Sequence, residues 1–220
     1  MESRDNPDFT KTVFRQVLLE IFRRQQSLHF TYVLPPRISL EGALELAQRF
    51  LEEKSVGDRG LALCGALFDA IGIHFGLYAK VDRARINASD KATGQAADLE
   101  CFNAEGKVVL AVEVKERTLT LTDVEGTLRK CRQRQIKDIF FATPGVKVDE
   151  QPALSERIKR VFASGQNLYV FSFFPFAKSI LALGGDPIRI TFLQKVGEHL
   201  NFWNTQPSHR QAWKKLLEGL

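Results

Sequence analysis

The 220-residue chain is 44% hydrophobic and 26% charged, an ordinary composition for a folded globular protein that excludes a largely disordered one. Its 31 lysines and arginines outnumber 26 acids for a net charge of +5, a balance that favours a polyanionic partner without naming one. Three scattered cysteines with no CxxC pair speak against a zinc ribbon or a disulfide framework. Neither a secretory leader nor an apolar run of roughly 18 residues is visible, so a cytoplasmic protein without membrane contact is expected.

In chain order, Val13, Val17, Leu18 and Ile21 recur at helical spacing and predict a helix over 8–33, ended by Pro35-Pro36. Ser39 resembles an N-cap for a second helix, whose apolar stripe is Leu40, Leu44, Ala47 and Leu51. Gly57-Asp58-Arg59-Gly60 breaks it, and Leu61 to Ile71 is apolar enough for a helix buried on several sides. From residue 73 the period changes. Residues 73–86 read as an extended segment, and 97–102 and 107–115 as two strands joined by the turn Asn103-Ala104-Glu105-Gly106. A helix over 121–136, a strand at 139–142, a helix over 150–163 and a strand over 167–174 follow, and then helices to an amphipathic end bearing Trp213, Leu216, Leu217 and Leu220. This order predicts an α/β core with a mixed central sheet flanked by helices. Its expected divisions are an N-terminal helical region (1–56), a core (57–175) and a C-terminal helical region packed on the core (176–220).

The strand Val112-Glu113-Val114-Lys115 carries a carboxylate and an ammonium on one face of an otherwise apolar segment, an arrangement that needs a reason because buried charge is costly. If Ala104 and Glu105 are the central turn residues, paired numbers sum to 209 and Asp98 lies opposite Ala111. Asp98 then shares the face of Glu113 and Lys115 and is a diagonal neighbour of Glu113, about 7–8 Å away. A one-residue slip would turn it to the other face, and a bulge near Gly106 could alter the pairing. Two carboxylates with a backbone carbonyl, here that of Val114, suit a hard octahedral cation such as magnesium. The same pattern also fits a surface salt bridge on a half-exposed strand.

Asp98 followed by Glu113-Val114-Lys115 on a hairpin, then a helix over 121–136 and a strand, resembles the core of PD-(D/E)XK nucleases across roughly 57–175. The run from Glu113 to Asp123, with Gly57-Asp58-Arg59-Gly60 upstream, is similar more narrowly to SacI-type restriction endonucleases. Ala97 stands where the motif has proline. The resemblance implies a restriction-endonuclease-like fold with helical additions and type II cleavage of double-stranded DNA with magnesium, for which manganese can substitute. It also implies a homodimer and a cognate DNA methyltransferase. By the family pattern Asp98 and Glu113 are metal ligands and Lys115 is catalytic. An additional acid on the preceding helix is expected from Asp58 or Asp69, with Asp58 preferred, although a cap beside Gly57 paired with Arg59 is its plainer role. A nuclease of repair, recombination or defence on the same core, or a non-catalytic DNA-binding module, are the alternatives.

The expected DNA contacts are Arg83, Arg85 and Lys91 before the acidic strand, Arg117 after Lys115, and Arg129 and Arg132 on a basic helix surface that also fits plain solvation. Gln133 reads adenine or is simply exposed. The histidines are read as structural or surface residues, and Trp203 and Trp213 as helix packing.

Overall fold

In the computed structural model, residues 7–27, 30–53, 55, 57–83, 94–203 and 205–220 are described, with backbone alone for 24–27. The chain separates into two units, Met1–Thr31 and Tyr32–Leu220. Among its described residues the first holds one helix, α1 (Pro7–Ser27), whose Phe9, Phe14, Val17 and Phe22 are exposed. It stops short of the expected residue 33. Among the described residues no helix is long and apolar enough to cross a membrane.

The second unit is built on one five-stranded sheet in the order β1 (Lys80–Arg83), β2 (Leu99–Phe102), β3 (Val108–Val114), β4 (Asp138–Thr143) and β5 (Asn167–Ser172). The first two pairings are antiparallel, and β3–β4 and β4–β5 are parallel, which makes the sheet mixed. The two parallel steps are made through α4 (Leu121–Gln133) and α5 (Gln151–Ala163). Crossovers of one hand that step the same way leave their helices on one face. Val124, Leu128, Leu154 and Val161 of those helices do pack with Ala111, Ile139 and Phe141 in one core. The alternate strand residues, Leu99, Cys101, Leu110, Val112, Phe140 and Ala142, face a second core. That core is closed by α2 (Leu40–Leu51), α3 (Asp58–Phe75), α6 (Phe173–Leu183), α7 (Gly185–Phe202) and α8 (Pro207–Glu218). The result is an α/β sandwich with helices on both faces of the sheet.

Local signals explain the boundaries. Ser39 Oγ accepts from the Gly42 amide at 3.0 Å and starts α2. Thr120 and Asp123 form a reciprocal capping box on α4. Helix α3 starts at Asp58, earlier than its apolar run, because Gly57 supplies a left-handed N-cap (φ +95°). It runs on to Phe75, so the expected extended segment is reduced to β1, with 84–86 outside the described residues. Helix α4 ends three residues early at Gln133, and β5 stops at Ser172, where Phe173 and Phe174 turn into α6.

Buried polar groups lock α3 in place. Arg59 donates to Phe50 O (2.7 Å), Glu53 Oε2 (2.5 Å) and His209 Nδ1 (3.1 Å), joining α2, α3 and α8, and does not pair with Asp58. His199 Nε2 lies 2.9 Å from Asp69 and ties α7 to α3. These histidines are structural, and Trp213 is fully buried with its ring 5.0 Å from Phe50. A methyl added at Gly72 would lie 2.8 Å from the Tyr78 carbonyl oxygen, where the chain doubles back to enter β1. Gly72→Ala is therefore expected to destabilise the fold by about 1–3 kcal/mol, read as a lowered urea midpoint.

Candidate active site

Glu113 and Lys115 lie at the C-terminal end of β3, and Asp98 immediately precedes β2, which runs the other way. All three therefore meet at one end of the sheet. The register that brings them together differs from the expected one. The hairpin loop has three residues, with Gly106 at φ +75°, and Asn103 N–H donates to Lys107 O at 3.0 Å. A bulge between Cys101 and Phe102 then shifts the pairing once more, so Glu100 opposes Ala111 and Leu99 opposes Val112. Paired numbers sum to 211 rather than 209. Two single shifts restore the side-chain parity, and continuing the register sets Asp98 across from Glu113 instead of diagonal to it.

The side chains interlock. Asp98 Oδ2 accepts from the Val114 amide at 2.8 Å, and Lys115 Nζ donates to Glu113 Oε1 at 2.6 Å. Each acid thus has one oxygen engaged. Glu113 Oε2 is buried with no hydrogen-bond partner, and Asp98 Oδ1 has none among the described residues. Burial, and then the charge of Glu113, push the Asp98 carboxyl up to about 6, against the Val114 amide, Lys115 and Lys130. Burial works to lower the Lys115 ammonium, but Glu113, Asp98 and Asp123 outweigh it and hold the lysine above its ordinary range, so it stays charged. Among the described residues no three His, Cys, Asp or Glu side chains cluster as a metal cage. The donors on hand are the two carboxylates and nearby backbone carbonyls. This all-oxygen set, with a buried carboxylate oxygen left unpartnered, fits a small hard dication completed by water.

The other expected residues fall at varied distances from this centre. Asp58 sits in the first turn of α3, where Gly57 is the N-cap, and accepts from Arg83 Nη2 at 2.6 Å. Arg83 is 2% exposed, and its Nε and Nη1 are buried without partners. It is therefore a buried link between β1 and α3 and offers no open surface to a phosphate, contrary to the expectation. Arg117 makes a two-pronged pair with Asp123 at 2.8 and 2.9 Å, which holds that carboxyl down at about 2. Arg132 donates to Gln166 at 3.0 Å, while Arg129 and Gln133 are exposed on α4. Arg85 and Lys91 lie outside the described residues.

Two further acids support the site. Glu100, buried on the Asp98 face, accepts from the Ala96 amide at 2.8 Å and pairs with Arg134. Glu116 Oε1 accepts from Ser55 Oγ (3.2 Å) and the Gly60 amide (3.3 Å), so it caps α3 from a different element. Neither acid is identified from sequence as part of the site: strand alternation is the signal that would have put Glu100 on the face of Asp98, but nothing local in sequence pairs Glu116 with residues more than fifty positions upstream.

Residues 37–145 match the family model described as the SacI restriction endonuclease C-terminal domain, a span just under half of the chain. It runs from before α2 to just past β4 and contains Asp98, Glu113 and Lys115. Over this span the chain is restriction-endonuclease-like. No curated protein matches the chain.

Proposed function

We propose that this restriction-endonuclease-like chain is a magnesium-dependent endonuclease of the PD-(D/E)XK type that cuts double-stranded DNA at a short sequence. In this reading it acts as a homodimer beside a cognate DNA methyltransferase. What supports the reading is one observation: Asp98 and Glu113 meet at one end of the sheet, Glu113 Oε2 is buried without a partner, Asp98 Oδ1 has none among the described residues, and Lys115 is bonded to Glu113.

Asp98, Glu113 and the Val114 carbonyl would hold magnesium, or manganese in its place. Such an ion supplies Lewis-acid polarisation of a phosphate oxygen and a bound water of lowered pKa. Lys115 contributes a charge fixed in direction by Glu113, 2.6 Å away, and aimed at the oxygens on which negative charge builds as water attacks phosphorus. Breaking the bond to the 3′-oxygen then leaves a 5′-phosphate and a 3′-hydroxyl. Arg129, Arg132 and Gln133 on α4 and Arg117 before it are exposed and offer positions for phosphate and base contacts. Because Arg129 is exposed, Arg129→Ala is expected to weaken DNA binding modestly and to lessen its salt dependence by about one phosphate contact, measured as the slope of log K against log salt.

The test is a plasmid digest with magnesium or with EDTA, followed by sequencing of the ends. Cutting in magnesium alone, at one repeated sequence and with 5′-phosphates, is expected. Uncut plasmid across many substrates, or equal cutting in EDTA, would overturn the proposal.

A further inference from the structure

The sheet end that carries Lys115 also opens into a cleft of about 580 Å³ on the opposite face from α4. That volume lies within the range of roughly 300–1,000 Å³ usual for small-ligand sites. Its apolar walls are Leu63, Val114, Ala142, Phe173 and Phe174, and Lys115 and Glu116 line it as well. The rings of Phe173 and Phe174 pack edge to face, 5.3 Å apart at 78°, and both residues line the cleft. Phe173 and Phe174 lie outside the span that matches the family model.

The polar side of the cleft is fixed. Ser55 and the Gly60 amide both hold Oε1 of Glu116, and a side chain at Gly60 would press to 3.0 Å from that oxygen. Oε2 has no partner among the described residues. Glu116 is exposed, so this oxygen is open to solvent and accessible to an N–H donor. Apolar walls, two aromatic residues, an acceptor held in place by Ser55 and Gly60, and a lysine bonded to Glu113 suit a nucleobase whose phosphate lies at the lysine.

We propose that the cleft receives a single amino-bearing nucleobase turned out of the duplex, stacked on Phe173 or Phe174 and read by Glu116 while its phosphate lies at Lys115. A paired base stacked on both sides cannot enter, so the base leaves the helix to bind. Thymine has no exocyclic amino group, and its one ring N–H is flanked by two carbonyl oxygens that repel the carboxylate, so it is the base bound more weakly. The inference rests on the nuclease reading for the phosphate's place and extends it to the choice of base.

The experiment is a methyl-NMR titration of the full wild-type chain in EDTA with dAMP, dCMP, dTMP and 2-deoxyribose 5-phosphate. Shifts at Leu63, Val114 and Ala142 are expected with dAMP and dCMP, weaker ones with dTMP, and none with the sugar phosphate. Phe174→Ala is expected to weaken dAMP about tenfold, the usual scale for loss of one stacking surface. Methyls that stay still for every nucleotide, or move equally with the sugar phosphate, would overturn the cleft. A wild type that cuts plasmid without base-dependent shifts overturns the cleft alone. A wild type that shows those shifts yet cuts nothing overturns the nuclease reading.

Discussion

Glu113→Gln is expected to fold and to lose magnesium-dependent cutting of plasmid DNA by on the order of 10³-fold. The substitution keeps shape and an acceptor for Lys115 but removes the charge. Glu113 is 7% exposed on the face it shares with Ala111, and its Oε2 has no partner. A buried carboxylate with an orphaned oxygen is a liability for stability alone, so its neutral isostere should not unfold the chain. Lys115→Met should cost activity on a similar scale, for a separable reason. It removes the charge that Glu113 aims, while both carboxylates remain. The two variants therefore differ in cation binding, which Glu113→Gln weakens and Lys115→Met leaves or strengthens. Rates from single-turnover digestion, with far-ultraviolet circular dichroism to establish folding, check both.

Asp98→Asn carries the second large effect, with opposite signs on activity and stability. In the folded chain the Asp98 carboxyl titrates at about 6, against an ordinary value of 3.8, because of burial and of Glu113. The native state thus holds a proton that the unfolded chain has released, and stability falls as pH rises from about 4 to 6. Above that window the full penalty remains, on the order of 2–3 kcal/mol for a shift of about two units. Asparagine cannot ionise and still accepts from the Val114 amide. In EDTA at pH 8 the variant should therefore be more stable than the wild type by up to that amount, and the two should converge below pH 4. Magnesium should reverse the order by stabilising only the wild type, since a ligand that binds the native state raises its stability by mass action. Urea unfolding at pH 4 and pH 8, with and without magnesium, measures each arm. A less stable variant at pH 8 in EDTA would contradict the electrostatic account.

Alternation made the face of the acids legible from sequence, whereas their pairing was not. Glu113 and Lys115 are two apart on a strand, so their common side follows from the pleat. The position of Asp98 depends on the turn. Gly106 adopts φ +75° and lengthens the loop by one, and the bulge at Cys101/Phe102 adds a second step. Either shift alone would have turned Asp98 away, and together they bring it directly opposite Glu113. Near-continuous apolarity correctly marked α3 as buried on several sides, because residues from Arg59 to Gly72 meet the sheet, α2 and α7. Ion-pair partners were the least legible part. Arg83 reads as a surface cation until Asp58, twenty-five positions away, arrives beside it, and Arg59 finds His209 on the last helix. Such pairings depend on tertiary contacts that no local period encodes.

Manganese binding measured by electron paramagnetic resonance addresses the central claim most directly. Wild-type protein should bind one tight ion per chain, with magnesium competing for the same site, and both Asp98→Asn and Glu113→Gln should weaken that binding at least tenfold. Undiminished binding in both folded variants would place the cation elsewhere and remove the proposed chemistry from this end of the sheet.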